Sequence, residues 1–214
     1  MTIKTHSGFS APKNSVIMVR RGPDHVAFGE VFECIDSLVK NEHAVEVFLQ
    51  GPGVTSASSD VWASMNWPSA KVSVTLCQSA WQRLNVAHAQ PRHPLTSLTQ
   101  VWAHMLEAAE VHCFGTGRWP ANWPSSAQHG ANQGFGCLIT GQPSASDQQS
   151  MIECVLAGVS LEVDLVVACP DWDRQRSPMD WLSGWDQLIE HGLAGVITKH
   201  TQDAKFSERC WLVL

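Results

Sequence analysis

The sequence predicts an α/β fold built from two tandem domains, each an open, mainly parallel sheet flanked by helices. Apolar strand-type runs alternate with amphipathic helix-type segments, which implies parallel strands joined by right-handed crossovers. The order of these segments repeats after 120 residues, so that Glu33-Cys34 corresponds to Glu153-Cys154. A chain of 214 residues, 44% of them hydrophobic, is long enough to bury the cores of such domains.

The first half contains four strand-type runs separated by helix-type segments. Between positions 26 and 40, apolar residues recur at the i, i+3, i+4 and i+7 spacing of a buried helix face. Gly51-Pro52-Gly53 is a turn signal that ends the second strand. Ser97 with Gln100 forms a capping box ahead of a further helix. The predicted strands are 15–19, 44–49, 71–76 and 111–114, and the predicted helices are 26–40, 62–67, 78–83 and 98–109.

The second half repeats this order in a shortened form. About ten residues separate its last two strands, against more than thirty in the first half. We therefore predict a first domain over 1–115, a linker rich in Gly, Pro, Ser and Trp over 116–135, and a truncated second domain over 136–214. Its predicted strands are 136–139, 164–168, 195–198 and 210–214, and its helix, 147–159, has Met151, Ile152, Val155 and Val159 on its apolar face.

Composition excludes several classes of protein. Twenty acidic side chains against fourteen basic ones give a formal charge of −6, which argues against stable nucleic-acid binding through phosphate neutralisation. No apolar run of about 18 residues predicts a membrane span, and the first residues lack the apolar segment of a signal peptide. Seven Cys without a CxxC pair predict free thiols in a reducing, cytoplasmic environment.

Cys77 is the candidate catalytic residue. It directly follows the third predicted strand of the first half, and reactive groups in open α/β sheets gather at the carboxyl ends of strands. A helix opening at Gln78 would place the thiol near a positive helix end, which favours the thiolate. Its predicted supporting residues are Arg83 and His88, which add positive potential, and Ser79. The structural alternative is a small apolar residue that ends a strand.

The other six cysteines are predicted to be structural, because they fall on helix faces or in and beside strands, where free Cys packs as a small hydrophobe. Their spacing with His residues fits no zinc finger or ribbon, so we expect no metal and no cofactor. GxSxG and GxxxxGK[ST] motifs are lacking. Asp171 and Asp173 form a possible carboxylate pair, but a solvated loop is the more economical interpretation.

The segments VIMVRRGP, AVEVFLQGPGV, VSVTLCQSAWQRLNV and LTSLTQVWAHMLEAAEVHCFG, in this order, resemble DsrE/TusD-type sulfur-relay proteins. The resemblance covers residues 15–115. The second half resembles the DsrF/TusC-type partners of that family, but aligning the strands puts Lys199 or His200 where Cys77 stands in the first half. The second half is therefore interpreted as a partner or scaffold domain.

The resemblance implies that Cys77 carries sulfane sulfur as a persulfide, received from a donor protein and passed to an acceptor protein by thiol exchange. It also implies oligomeric assembly. Separate subunits of the family form mixed hexamers, so three copies of a tandem chain would make a six-domain ring. The alternative hypothesis is a non-catalytic scaffold of the same fold that binds a partner protein or a small ligand, with an unrelated small-ligand binder ranked behind it.

Overall fold

The computed structural model describes residues 13–84, 90–115, 135–138, 144–162, 165–168, 197–198 and 210–213. These residues form an α/β fold with two parallel sheets. The elements in chain order are β1 (Asn14–Val19), α1 (Gly29–Lys40), β2 (Ala44–Leu49), a 3-10 helix (Gly51–Ser58), α2 (Val61–Ser64), β3 (Val72–Cys77), α3 (Gln78–Arg83), β4 (Leu95–Thr96), α4 (Leu98–Glu107), β5 (Glu110–Phe114), β6 (Phe135–Leu138), α5 (Ala145–Leu161), β7 (Leu165–Ala168), β8 (Ile197–Thr198) and β9 (Cys210–Val213).

The first sheet has five strands in the order β4-β3-β2-β1-β5, and each neighbouring pair is parallel. The second sheet has four strands in the order β8-β7-β6-β9, also parallel throughout. Because parallel strands end at the same edge of a sheet, the carboxyl ends of β1, β2 and β3 lie along one edge. At that edge lie Arg20, which follows β1, Gln50, which follows β2, and Cys77, the last residue of β3.

Local sequence explains the helices that flank the first sheet. The spacing of Val31, Ile35 and Leu38 buries one side of α1, as predicted. At the start of α4, Ser97 accepts a hydrogen bond from the backbone N–H of Gln100, and the predicted capping box is confirmed. The α/β class and the mainly parallel sheet flanked by helices are therefore confirmed.

Several predicted elements differ from the structure. Helix α1 begins at Gly29 instead of residue 26, and the helix predicted over 62–67 is the short α2, Val61–Ser64. The chain after β2 continues as an eight-residue 3-10 helix instead of a simple turn, and Gly53 approaches the end of β1 so closely that an added Cβ would lie 2.2 Å from the Val19 carbonyl oxygen. On α5, Met151 and Val155 are buried but Ile152 and Val159 are about half exposed. The buried side of α5 instead includes Cys154, which has 0% exposure.

Helix α5 packs against α4 and the 3-10 helix, so it lies over the carboxyl edge of the first sheet as well as beside β7. Trp102 of α4 stacks on Phe135 of β6, with ring centroids 3.9 Å apart. Buried residues of both sheets belong to one continuous hydrophobic cluster. Residues 116–134 of the predicted linker lie outside the described part of the chain.

Within the described ranges, no helix combines the length and apolar character that crossing a membrane requires.

Candidate functional site

Cys77 lies at the carboxyl end of β3 and is the residue that precedes α3. Its sulfur is 3.1 Å from the Ser79 hydroxyl oxygen, and either atom can donate the hydrogen. The backbone N–H groups of Ser79 and Ala80 also donate hydrogen bonds to this sulfur. The thiol therefore sits in a small cradle of hydrogen-bond donors built by the turn from β3 into α3.

The thiol is closed to solvent, since Cys77 is only 1% exposed. Burial raises the pKa of the Cys77 thiol above its ordinary value, and the hydrogen bonds from Ser79 and Ala80 only partly oppose this effect. The sequence-based expectation of a helix-stabilised thiolate is thus wrong for this arrangement. The physical reason is that α3 has only six residues, and desolvation of the charged form outweighs what so short a helix contributes.

Glu153 completes the surroundings of the thiol, and it comes from α5 rather than from the first sheet. One carboxylate oxygen, Oε2, accepts a hydrogen bond from the Cys77 sulfur at 3.9 Å, and the nearby negative charge raises the pKa of the thiol further. The other oxygen, Oε1, is 3.5 Å from Nη2 of Arg83. The carboxylate therefore links the thiol to the cation.

Arg83, which the sequence predicts to add positive potential near the thiol, lies beside the carboxylate of Glu153. The guanidinium of Arg83 forms an ion pair with Glu153, and the side chain of Arg83 is one third exposed. It acts on the carboxylate instead of lying directly against the sulfur. The third predicted supporting residue, His88, lies outside the described residues.

A second polar contact ties α5 to the same edge of the sheet. Arg20, which follows β1 and is fully buried, donates from Nη2 to Asp147 Oδ1 at 2.6 Å and from Nη1 to the Ser150 hydroxyl. Gly51 makes room for this guanidinium, because an added Cβ there would lie 2.8 Å from Nη1. Helix α5 is thus held over the carboxyl edge at two points, Arg20 and Cys77.

Three further thiols, those of Cys34, Cys137 and Cys154, are compatible with the predicted structural role. Cys137 and Cys154 are almost completely buried, and their thiols are hydrogen-bonded to each other. That hydrogen bond, followed by burial, raises the pKa of Cys154. Burial raises the pKa of Cys34 to about 11. With these raised pKa values, the thiols of Cys34 and Cys154 remain protonated at neutral pH.

An open cavity of about 350 Å³ lies at the opposite end of the first sheet, where β1, β2 and β3 begin. Glu46, Lys71 and His104 are among its lining residues, and Cys77 is not. The cavity therefore does not give access to the thiol. In the part of the chain that the structure describes, no group of three or more His, Cys, Asp or Glu side chains is arranged to hold a metal ion.

Sequence reasoning missed the residues of α5 that reach this edge. Glu153 was visible only as one member of the repeated Glu-Cys pair, and nothing in the local pattern indicates that it crosses to the other sheet. Asp171 and Asp173 lie outside the described residues.

Comparison of the chain with protein-family models, with curated proteins and with solved structures finds no match.

Proposed function

We propose that the chain is a tandem DsrE/DsrF-like sulfur-relay protein that carries sulfane sulfur as a persulfide on Cys77. The observation that carries the proposal is the placement of this thiol. It ends a central strand at the carboxyl edge, and the hydroxyl of Ser79 and the N–H groups of Ser79 and Ala80 face its sulfur. Such donors stabilise negative charge on sulfur, which both the attacking thiolate and the loaded persulfide bear.

In the transfer step, the Cys77 thiolate attacks the outer sulfur of a donor persulfide. A new S–S bond forms to Cys77, the S–S bond of the donor breaks, and the donor leaves as a thiolate that takes up the proton released by Cys77. The reverse exchange passes the sulfur to an acceptor thiol, and no external oxidant or reductant is needed. Because Cys77 is 1% exposed, transfer requires α5 to move away from the thiol, which admits a donor persulfide or a small polysulfide.

The proposed partners are sulfur donor and acceptor proteins of a reducing cytoplasm. In this proposal the second sheet belongs to a partner domain that covers the carrier domain, and three two-domain chains assemble into a ring. The buried contact of α5 with the carboxyl edge supports a covering role for the second half. A single-chain mass in solution would contradict the ring.

The second candidate function is a non-catalytic scaffold that binds a partner protein or a small ligand. The low exposure of Cys77 and its raised pKa favour this alternative, because buried, protonated cysteines are unreactive.

Sulfur loading separates the two functions. The wild-type chain, Cys77→Ser and the control Cys34→Ser are incubated with inorganic polysulfide, and their intact masses are measured. The carrier proposal predicts a gain of one sulfur atom on wild type and on Cys34→Ser, but none on Cys77→Ser. No gain on wild type would favour the scaffold, and an equal gain on Cys77→Ser would remove Cys77 from the proposal.

A further inference from the structure

The proposed sulfur transfer starts from a thiol that is buried under α5. The charged side chains of Glu153 and Arg83 beside it suggest how its burial and its protonation are controlled. We propose that Glu153 is a positioning residue for Cys77: its carboxylate, reaching across from α5, holds the thiol in its closed, uncharged form, and Arg83 sets how strongly it does so. This inference rests on the proposed function, since it concerns regulation of the same site. It assigns a role in sulfur transfer to a residue of the second half.

Cys77, Glu153 and Arg83 contact one another in that order. The Cys77 sulfur donates to Glu153 Oε2 at 3.9 Å, and Glu153 Oε1 pairs with Arg83 Nη2 at 3.5 Å. The side chain of Glu153 is 11% exposed and Cys77 is 1% exposed, so water screens little of the interaction between them. A carboxylate accepting from a thiol stabilises the protonated sulfur and repels the thiolate.

Few other charges face the thiol from the described elements around it. The 3-10 helix Gly51–Ser58 and strand β4 (Leu95–Thr96) contain no titratable side chain. Helix α3 contributes Arg83, and α5 contributes Glu153 together with Cys154, whose thiol is engaged by Cys137. Arg20 and Asp147 of α5 pair with each other at the same edge, and Glu153 is the charged group that raises the pKa of the Cys77 thiol.

Arg83 opposes the effect of Glu153 on the thiol, because its positive charge lies beside the carboxylate. Without Arg83, the repulsion of the thiolate grows. The two charges act additively on the sulfur, so the effect of Arg83 persists when Glu153 is neutral. When α5 moves away from the carboxyl edge, the Cys77 thiol loses the Glu153 carboxylate, which is both its hydrogen-bond acceptor and the charge that repels the thiolate. Exposure of Cys77 and formation of its thiolate are thereby coupled.

The test is an NMR titration of the full chain labelled with [3-13C]cysteine. The Cβ signal of Cys77, assigned by its loss in Cys77→Ser, reports the thiolate fraction directly. Glu153→Gln is expected to reach one-tenth deprotonation about one pH unit below wild type. One-tenth deprotonation is compared because it is reached at a lower pH than the midpoint, before alkaline pH lowers the stability of the fold. The control Glu107→Gln removes an exposed carboxylate at the opposite end of the sheet and is expected to leave the titration unchanged.

Arg83→Gln supplies the second arm, and its partly exposed site tolerates substitution even if Glu153→Gln does not fold. It is expected to shift the titration of Cys77 to higher pH, both in wild type and in the Glu153→Gln background, because the charge of Arg83 acts on the thiolate in either case. An unchanged titration in either single variant would overturn the inference. A shift to lower pH in Arg83→Gln would also overturn it. No sulfur donor is present, so the outcome is independent of whether Cys77 carries persulfide.

Discussion

At the scale of single residues, burial controls the acidity of the thiols. Cys34, Cys77 and Cys154 all have raised pKa values, and desolvation is the first cause for Cys34 and Cys77, whereas the hydrogen bond with Cys137 comes first for Cys154. The folded chain therefore keeps protons that the unfolded chain releases near the ordinary thiol pKa of 9.0. Between pH 9 and the higher folded values, deprotonation favours unfolding.

This predicts a loss of stability at alkaline pH. The thiol contribution to the free energy of unfolding is fully present below about pH 9 and falls as the pH rises towards 11, the folded value of Cys34. Urea unfolding at a series of pH values measures this loss, and Cys34→Ala is expected to make it shallower than in wild type. A Cys34→Ala slope identical to that of wild type would contradict the burial effect at this residue.

The sequence predicted the position of Cys77 at the end of β3, but it did not predict that burial raises the pKa of this thiol. A residue that follows an apolar strand can be placed at a sheet edge from pattern alone. Its pKa depends on what covers that edge, and the covering residue Glu153 is 76 positions away along the chain.

At the scale of elements, close approach of backbones decides which glycines tolerate a side chain. A Cβ at Gly53 would lie 2.2 Å from the Val19 carbonyl oxygen, whereas a Cβ at Gly29, in the first turn of α1, meets nothing within 4 Å. The 3-10 helix therefore packs on the end of β1 through Gly53.

Two alanine substitutions test this packing as a matched pair. Gly53→Ala is expected to lower the free energy of unfolding by about 3 kcal/mol or more, because backbone must move to relieve the clash. Gly29→Ala is expected to change it by less than about 1 kcal/mol, in the stabilising direction, because alanine is the better helix former. Urea unfolding followed by circular dichroism gives both values. Equal destabilisation by the two variants would contradict the close approach.

The element boundaries show where sequence patterns are strong and where they are weak. Strand β2 and helix α3 begin and end at the predicted residues. For β2 the local signal is the alternation of apolar residues. The 3-10 helix was not predicted, because the same Gly-Pro-Gly residues also suit a simple turn. The exposure of Ile152 and Val159 depends on how α5 packs, which its own periodicity does not determine.

At the scale of the whole molecule, a buried ion pair joins the two sheets. Arg20 is fully buried, and Asp147 of α5 accepts its hydrogen bond at 2.6 Å with 15% of its side chain exposed. Removing one member of a buried pair leaves the other charge uncompensated and costs about 3–5 kcal/mol. The pair is therefore expected to stabilise the packing of α5 over the carboxyl edge of the first sheet.

The variant Asp147→Asn tests how much the ion pair with Arg20 contributes to the free energy of unfolding. We expect the free energy of unfolding to fall by about 3 kcal/mol and the helix signal and tryptophan fluorescence to remain coincident during urea unfolding, because one hydrophobic cluster spans both sheets. The variant Asp36→Asn, at a partly buried carboxylate that accepts from Trp67 within the first half, is the control for losing a charge. A smaller loss than in the control would contradict the contribution of the ion pair, and separate transitions for the two signals would contradict the single hydrophobic cluster.

The central claim, sulfur loading of Cys77, is tested most directly by locating the sulfur. The chain is treated with inorganic polysulfide, alkylated with iodoacetamide and digested, and the peptides of all seven cysteines are analysed by mass spectrometry. We expect the additional sulfur on the peptide that contains Cys77. Additional sulfur on another cysteine alone, or on none, would contradict it.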